Sequence, residues 1–276
     1  REREIEPRGF YSPETILSDV EERLDALEHA GEQVDYLTFV PDGEPTLDAN
    51  LGKTIALLRP LGVRIAVISN ASLLWRPEVR ERLVDVDWLS VKLDTVDEDR
   101  WRRINRPHPE LRLPQVLAGV EAMAREFRGN LATETMLVEG LNDAPASIAR
   151  LGEWLGRLGP AKCYLSIPIR PVAEAGNRPP SEAVVNRAYQ ILGRHLPEVE
   201  TLIGYEGEAF ASTGDVVEDL LAITLVHPMR DEAAVKLLAK GGRGRDALAA
   251  LVGSGKLKAV GYEGKRFYLR AFGGDP

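Results

Sequence analysis

Six apolar runs of strand length, separated by segments of helical periodicity, leave this chain few folds to choose from. The runs are VDYLTFV (34–40), RIAVISN (64–70), WLSVKLD (88–94), LATETMLV (131–138), CYLSIPI (163–169) and ETLIGY (200–205). Helix-like segments fall near 50–60, 77–84, 113–127, 145–158 and 181–195. Ahead of them, Ser12-Pro13-Glu14 has the form of a helix start, and Ile16, Val20, Leu24 and Leu27 follow at helical spacing. Buried strands alternating with amphipathic helices predict a parallel sheet covered by helices. A doubly wound open sheet and a full or partial βα barrel both satisfy this, and both gather ligands at the C-terminal ends of the strands. The polar residues at those ends, Asp42, Gly43, Glu44, Ser69, Asn70, Asp94, Glu139, Asn142 and Arg170, are expected to converge.

The alternation stops near Tyr205. Residues 206–213 read as a linker, and 214–276 as a separate small domain. It holds helical segments at 216–224, 231–238 and 244–252, then two strand-like runs joined at Tyr262-Glu263-Gly264, the layout of a winged helix. Charge also sets the C-terminal part apart. Residues 229–276 carry ten Lys/Arg and five Asp/Glu, a balance of +5, so the rest of a chain of net charge −8 carries −13. Such a net charge argues against the whole molecule being a general nucleic-acid binder. Lys256, Lys258, Lys265 and Arg266 on or near the wing suit either phosphate backbones or a solvated face on a docking domain. The single cysteine, Cys163, excludes a disulfide framework and points to a reducing, cytoplasmic setting. No apolar run approaches the length of a membrane span.

VPDGEPTL (40–47) is the most pointed local signal. Gly43 permits a close approach of backbone to ligand or a positive φ, Glu44 places a carboxylate at a strand end, and Pro45 stiffens the exit. Alone, the tripeptide also reads as a surface turn. In order with LTFVPDGEPTLDANLG come VISNASLLWRPEVRE, VKLDTVDEDRWRRINRPHP, ETMLVEGLND and LSIPIRPVAE. Together these closely resemble the radical S-adenosylmethionine (radical SAM) enzymes, in particular the Fe–S oxidoreductase subgroup related to the wybutosine-pathway tRNA enzyme, over residues 1–205. The resemblance implies a partial (β/α)6 barrel. It implies that the turn at Asp42, Gly43, Glu44 and Pro45 holds the SAM amino group, with Asp42 standing where the family usually has a small residue. It also implies a [4Fe–4S] cluster on a Cys-x3-Cys-x2-Cys loop that precedes this helix and strand, so that the first strand and the cluster cysteines are expected upstream of Arg1. Cys163, within a predicted strand, reads as a buried small hydrophobe rather than a cluster ligand. In the family an external electron donor drives reductive cleavage of SAM to a 5′-deoxyadenosyl radical, which abstracts hydrogen from a substrate.

Other residues carry two readings. Ser69 and Asn70 suit a turn or a SAM contact. Asp94 suits a helix cap or the SAM ribose or ammonium. Lys92, on the same strand face as Asp94, suits the SAM carboxylate or a salt bridge. Glu134, a charge inside an apolar strand, suits the barrel interior or an ion pair with Lys92. Arg170 suits a carboxylate or phosphate of cofactor or substrate. Asn142 suits a turn on the active rim. Asn105, Arg106 and His108 form a motif shared with the subgroup and become substrate-pocket candidates on that basis. Trp75 and Trp101 read as packing. RNA, a protein or a small metabolite all remain open as substrate. A non-catalytic sensor that binds nucleic acid through the winged helix is the alternative of another class, and an ordinary barrel aldolase or hydrolase is a weaker third.

Overall fold

The computed structural model describes residues 4–40, 43–169, 177–202, 210, 212–226, 228–262 and 264–271. The chain divides into two units. The first comprises Arg1–Leu17, Asp35–Pro168 and Gly176–Gly204; the second comprises Ser18–Val34, Ile169–Ala175 and Tyr205–Pro276.

The first unit is a six-stranded parallel sheet: β1 (Tyr36–Phe39), β2 (Arg64–Ser69), β3 (Trp88–Lys92), β4 (Asn130–Met136), β5 (Lys162–Ser166) and β6 (Val199–Leu202). The strands lie in sequence order, β1 beside β2 through to β6. A doubly wound sheet reverses its order part-way, so the sequential order selects the barrel-type arrangement, consistent with a partial barrel. The sheet carries one strand more than a six-stranded barrel lacking its first strand would leave. The connecting helices are α2 (Leu51–Leu58), α3 (Pro77–Glu81), α4 (Glu98–Asn105), α5 (Leu113–Glu126), α6 (Pro145–Leu158) and α7 (Glu182–Leu192); α1 (Pro13–His29) precedes them and is divided between the two units after Leu17. Right-handed crossovers between sequential parallel strands put all of these connections on one face. Side chains on that face lose all exposure: Ile65 and Val67, Leu89 and Val91, Thr133 and Thr135, Cys163 and Leu165. Their alternates, among them Trp88, Lys92, Glu134, Met136 and Tyr164, stay partly exposed. The sheet therefore has a helix-covered apolar face and an open face carrying charge, which is the barrel interior.

The first unit holds its rim with two residues in left-handed backbone. Ala71, fully buried just after β2, has φ 62°, and Arg106, which ends α4, has φ 45°. L-residues occupy this region at a cost and usually where the surroundings over-determine it.

The second unit runs α8 (Val216–Val226), β7 (Met229–Arg230), α9 (Asp231–Lys240), α10 (Arg245–Gly253), β8 (Leu257–Tyr262) and β9 (Lys265–Arg270). Its three strands form an antiparallel sheet in the order β7-β9-β8. Leu220, Leu221, Ala234, Leu237, Leu238, Leu248, Leu257 and Tyr268 fill its own core. Residues 18–34 join this unit through polar bonds. Arg23 donates to Asp219 Oδ1 at 2.6 Å, and Lys240 Nζ lies 3.6 Å from Glu32. Among the described residues, no helix is long and apolar enough to cross a membrane.

Candidate active site

The Gly-Glu-Pro turn is built around its glutamate. Pro45–Leu47 form a single 3-10 turn with Glu44 as its cap. The Glu44 carboxylate is buried and accepts four hydrogen bonds. Oε1 receives Thr46 N at 3.2 Å, Thr46 Oγ1 at 2.7 Å and Ser69 Oγ at 2.6 Å; Oε2 receives Asn70 N at 2.7 Å. Two of these come from the end of β2, so the side chain ties the β1 exit to the β2 exit. Burial pushes the Glu44 pKa above the ordinary carboxylate value, against the four donors that pull it down. Its charge is thus spent inside the protein and the main chain of the turn is left to meet a ligand. Gly43 is not in the left-handed region, and a Cβ added there would meet nothing within 4 Å. The glycine keeps a space above the backbone open.

A second cluster sits on β3, β4 and β5. Lys92 is paired in register with Glu134, and its Nζ lies 3.7 Å from Asp94 Oδ1. Burial lowers the Lys92 pKa, but the charges of Asp94 and Glu134 outweigh it and the net shift is upward, so this is a firm cation on the open face. Ser166 Oγ donates to Glu134 Oε1 at 2.9 Å. Asp94 is buried and accepts Met136 N at 2.8 Å and Asn105 Nδ2 at 2.8 Å. The side-chain acceptor of Asn105, Oδ1, is buried without a hydrogen-bond partner.

Asn142 is a clamp. Its Nδ2 donates to Asp94 O (2.8 Å) and Met136 O (2.9 Å), and its Oδ1 accepts Val138 N at 2.8 Å. These three bonds fix the loop after β4 to the end of β3. His108 Nδ1 accepts Glu110 N at 3.3 Å within the loop after α4.

The strand ends thus bring together Gly43, Glu44, Pro45, Ser69 and Asn70 in one cluster, and Lys92, Asp94, Asn105, Glu134 and Asn142 in another. Arg106 and His108 follow directly from Asn105. Asp42 and Arg170 lie outside the described residues, as does Glu263 of the C-terminal turn. Lys92 and Glu134, each read two ways from sequence, are neighbours that face the same open side. Sequence reasoning passed over Thr46 and Ser166, whose hydroxyls complete the two carboxylate sites. Ser166 had a detectable signal, being the polar alternate of Tyr164 at a strand's C-terminal end. Trp101 is 7% exposed and packs in the core. Cys163 is fully buried on the helix-covered face, and burial raises its thiol pKa.

The family model described as the radical SAM superfamily matches residues 3–151. The chain belongs to the radical SAM superfamily. It is 44% identical over 270 residues to the UPF0026 protein MJ1312 of Methanocaldococcus jannaschii, covering 96% of this chain and 83% of that one. Among solved structures it is similar to TYW1 with a lysine-pyruvate adduct bound, with a TM-score of 0.54 and 20% identity over 67% of this chain and 64% of that one. It is also similar to a radical SAM methyltransferase from Sphaerobacter thermophilus, with a TM-score of 0.53 and 22% identity over 74% and 61% of the two chains. At these identities the structural likenesses show a shared fold.

Proposed function

We propose that this radical SAM enzyme binds S-adenosylmethionine on the open face of its sheet, between the Gly43-Glu44-Pro45 turn and the Lys92–Asp94–Glu134 cluster. The observation that carries the reading is the built turn: a glutamate consumed by four internal bonds beside a glycine that keeps room over the main chain. Main-chain carbonyls there suit an ammonium group. Lys92 supplies the cation for the SAM carboxylate, and the unpartnered Asn105 Oδ1 offers an acceptor beside Asp94. When bound and reduced at a [4Fe–4S] cluster, SAM supplies a 5′-deoxyadenosyl radical for hydrogen abstraction from a substrate. The residues' own work is to orient the cofactor and keep its charges paired. Among the described residues no group of three His, Cys, Asp or Glu is placed to hold a metal, and Cys163 faces the helix-covered side. Cys163 is the single cysteine of the sequence, so these residues do not by themselves supply the three thiolates of such a cluster. The proposal extends to the second unit, whose helix, strand, two helices and hairpin follow the order of a winged helix. The test is titration of the chain with SAM by calorimetry. Lys92→Met is expected to weaken binding by about 10- to 100-fold, the loss of one charge-assisted contact; unchanged affinity refutes the placement.

A further inference from the structure

The second unit leaves one edge of its sheet unpaired. In the order β7-β9-β8, β9 is the central strand and β8 pairs with no further strand among the described residues. The bond pattern fixes which of its groups point outward. Ala271 N donates to Lys256 O at 3.0 Å, and bonds in an antiparallel ladder recur at every second residue, so Lys258, Val260 and Tyr262 bond toward β9. Leu257, Ala259 and Gly261 therefore turn their N–H and C=O groups away from the sheet. Ala259 and Gly261 are exposed. A groove of about 470 Å³ runs between α10 and the sheet, lined by Leu248, Ala249, Val252 and Gly253 on one side and by Ala259 and Tyr268 on the other. On the opposite face of the same edge, Lys256 and Lys258 stand two residues apart, both exposed and without an ion pair among the described residues.

We propose that the β8 edge takes up an extended acidic segment of a partner protein as a fourth strand. The partner's main chain meets the free groups of Leu257, Ala259 and Gly261. Alternation then places its side chains. Those on the α10 side enter the groove, where the lining is small and apolar, and those on the other side come beside Lys256 and Lys258. The segment is thus one of alternating apolar and acidic residues. Charge selects this occupant. Residues 229–276 balance to +5, and lysines on an edge repel the same edge of a second copy while drawing in an acidic strand. A nucleic acid fits less well. The helix that a winged-helix order sends into a DNA groove is α10, which exposes Asp246, Ala249, Ala250 and Gly253, and whose Arg245 is bound to Asp231 at 2.6 Å. The inference is independent of the SAM site.

The experiment is fluorescence anisotropy of the full chain with a labelled octapeptide of alternating glutamate and valine. The same peptide with lysine for glutamate and a short DNA duplex are the comparison probes. The glutamate peptide is expected to bind and the lysine peptide to fail. Ala259→Pro removes an outward N–H and no bond to β9, so thermal stability is expected to hold while affinity falls about tenfold or more. Lys258→Glu is expected to cut affinity about tenfold. N-methylation of the valines, whose amides face β8 in an antiparallel pairing, makes the same test without altering the protein and is expected to abolish binding. Peptide binding indifferent to both Ala259→Pro and N-methylation, binding of the duplex in place of the peptide, or binding of neither overturns the proposal and leaves the SAM site standing.

Discussion

Replacing Glu44 by alanine strips the acceptor from four donors at once. The hydroxyls of Thr46 and Ser69 can turn to other acceptors, but the amides of Thr46 and Asn70 are fixed by the backbone. Each buried donor left unmet costs about 1–3 kcal/mol. Removing a desolvated carboxylate offsets part of that loss. The net expectation is a destabilisation of about 2–4 kcal/mol, concentrated where β1 and β2 end. Glu44→Gln keeps Oε1 but turns an NH2 toward the Asn70 amide, a donor facing a donor, and is expected to cost about 1–2 kcal/mol. Hydrogen–deuterium exchange read by mass spectrometry reports this locally. The Asn70 amide is expected to exchange roughly 30- to 1,000-fold faster in the alanine variant, at about 1.4 kcal/mol per decade. The pH dependence has a definite sign. The folded pKa of Glu44 is raised, so its contribution is fullest below the ordinary carboxylate pKa and falls as pH rises toward the folded value. Glu44→Gln is expected to flatten that fall. Exchange at Asn70 within a factor of two of wild type in both variants would refute the cross-link.

Two further perturbations test the remaining polar anchors. Asn142→Ala leaves the Val138 amide and the Asp94 and Met136 carbonyls without their partner, and a loss of about 2–3 kcal/mol in thermal or denaturant unfolding is expected. In the second unit, Asp219 is fully buried and accepts bonds from Ser212, Thr213 and Arg23; burial raises its pKa, but these partners outweigh it and the net shift is downward. Its stabilisation is therefore present above the ordinary carboxylate range and lost as pH falls through the lowered value, and Asp219→Asn is expected to blunt the acid limb of a pH–stability profile.

The barrel unit was legible because each strand is a short apolar run and each helix keeps its period. VDYLTFV trims to Tyr36–Phe39, since only the paired residues count as strand; the strand of ETLIGY starts one residue earlier, at Val199, and residues 203–205 lie outside those described. Periodicity did not choose between a doubly wound sheet and a barrel; the strand order did. Met229–Arg230 escaped notice because two residues carry no period, yet they pair with Tyr268 and Phe267 and make the C-terminal sheet three-stranded. At the site, sequence picked out strand-end polar residues but not what they spend their bonds on. Glu44 and Asn142 also serve as internal ties that one dimension does not reveal, because their partners, Ser69 and Asp94, lie 25 and 48 residues away. Arg106 shows the opposite case: sequence named it only as part of a motif, and nothing in one dimension announces its left-handed backbone.

The account stands most directly on the fate of SAM. The natural gene product carrying these residues would be purified anaerobically, reconstituted with iron and sulfide, and given SAM and dithionite, and 5′-deoxyadenosine would be quantified by mass spectrometry. Formation above a cluster-free control, and its loss in Lys92→Met at limiting SAM, is the predicted result. A protein that demonstrably holds its cluster and binds SAM yet forms no 5′-deoxyadenosine would contradict it.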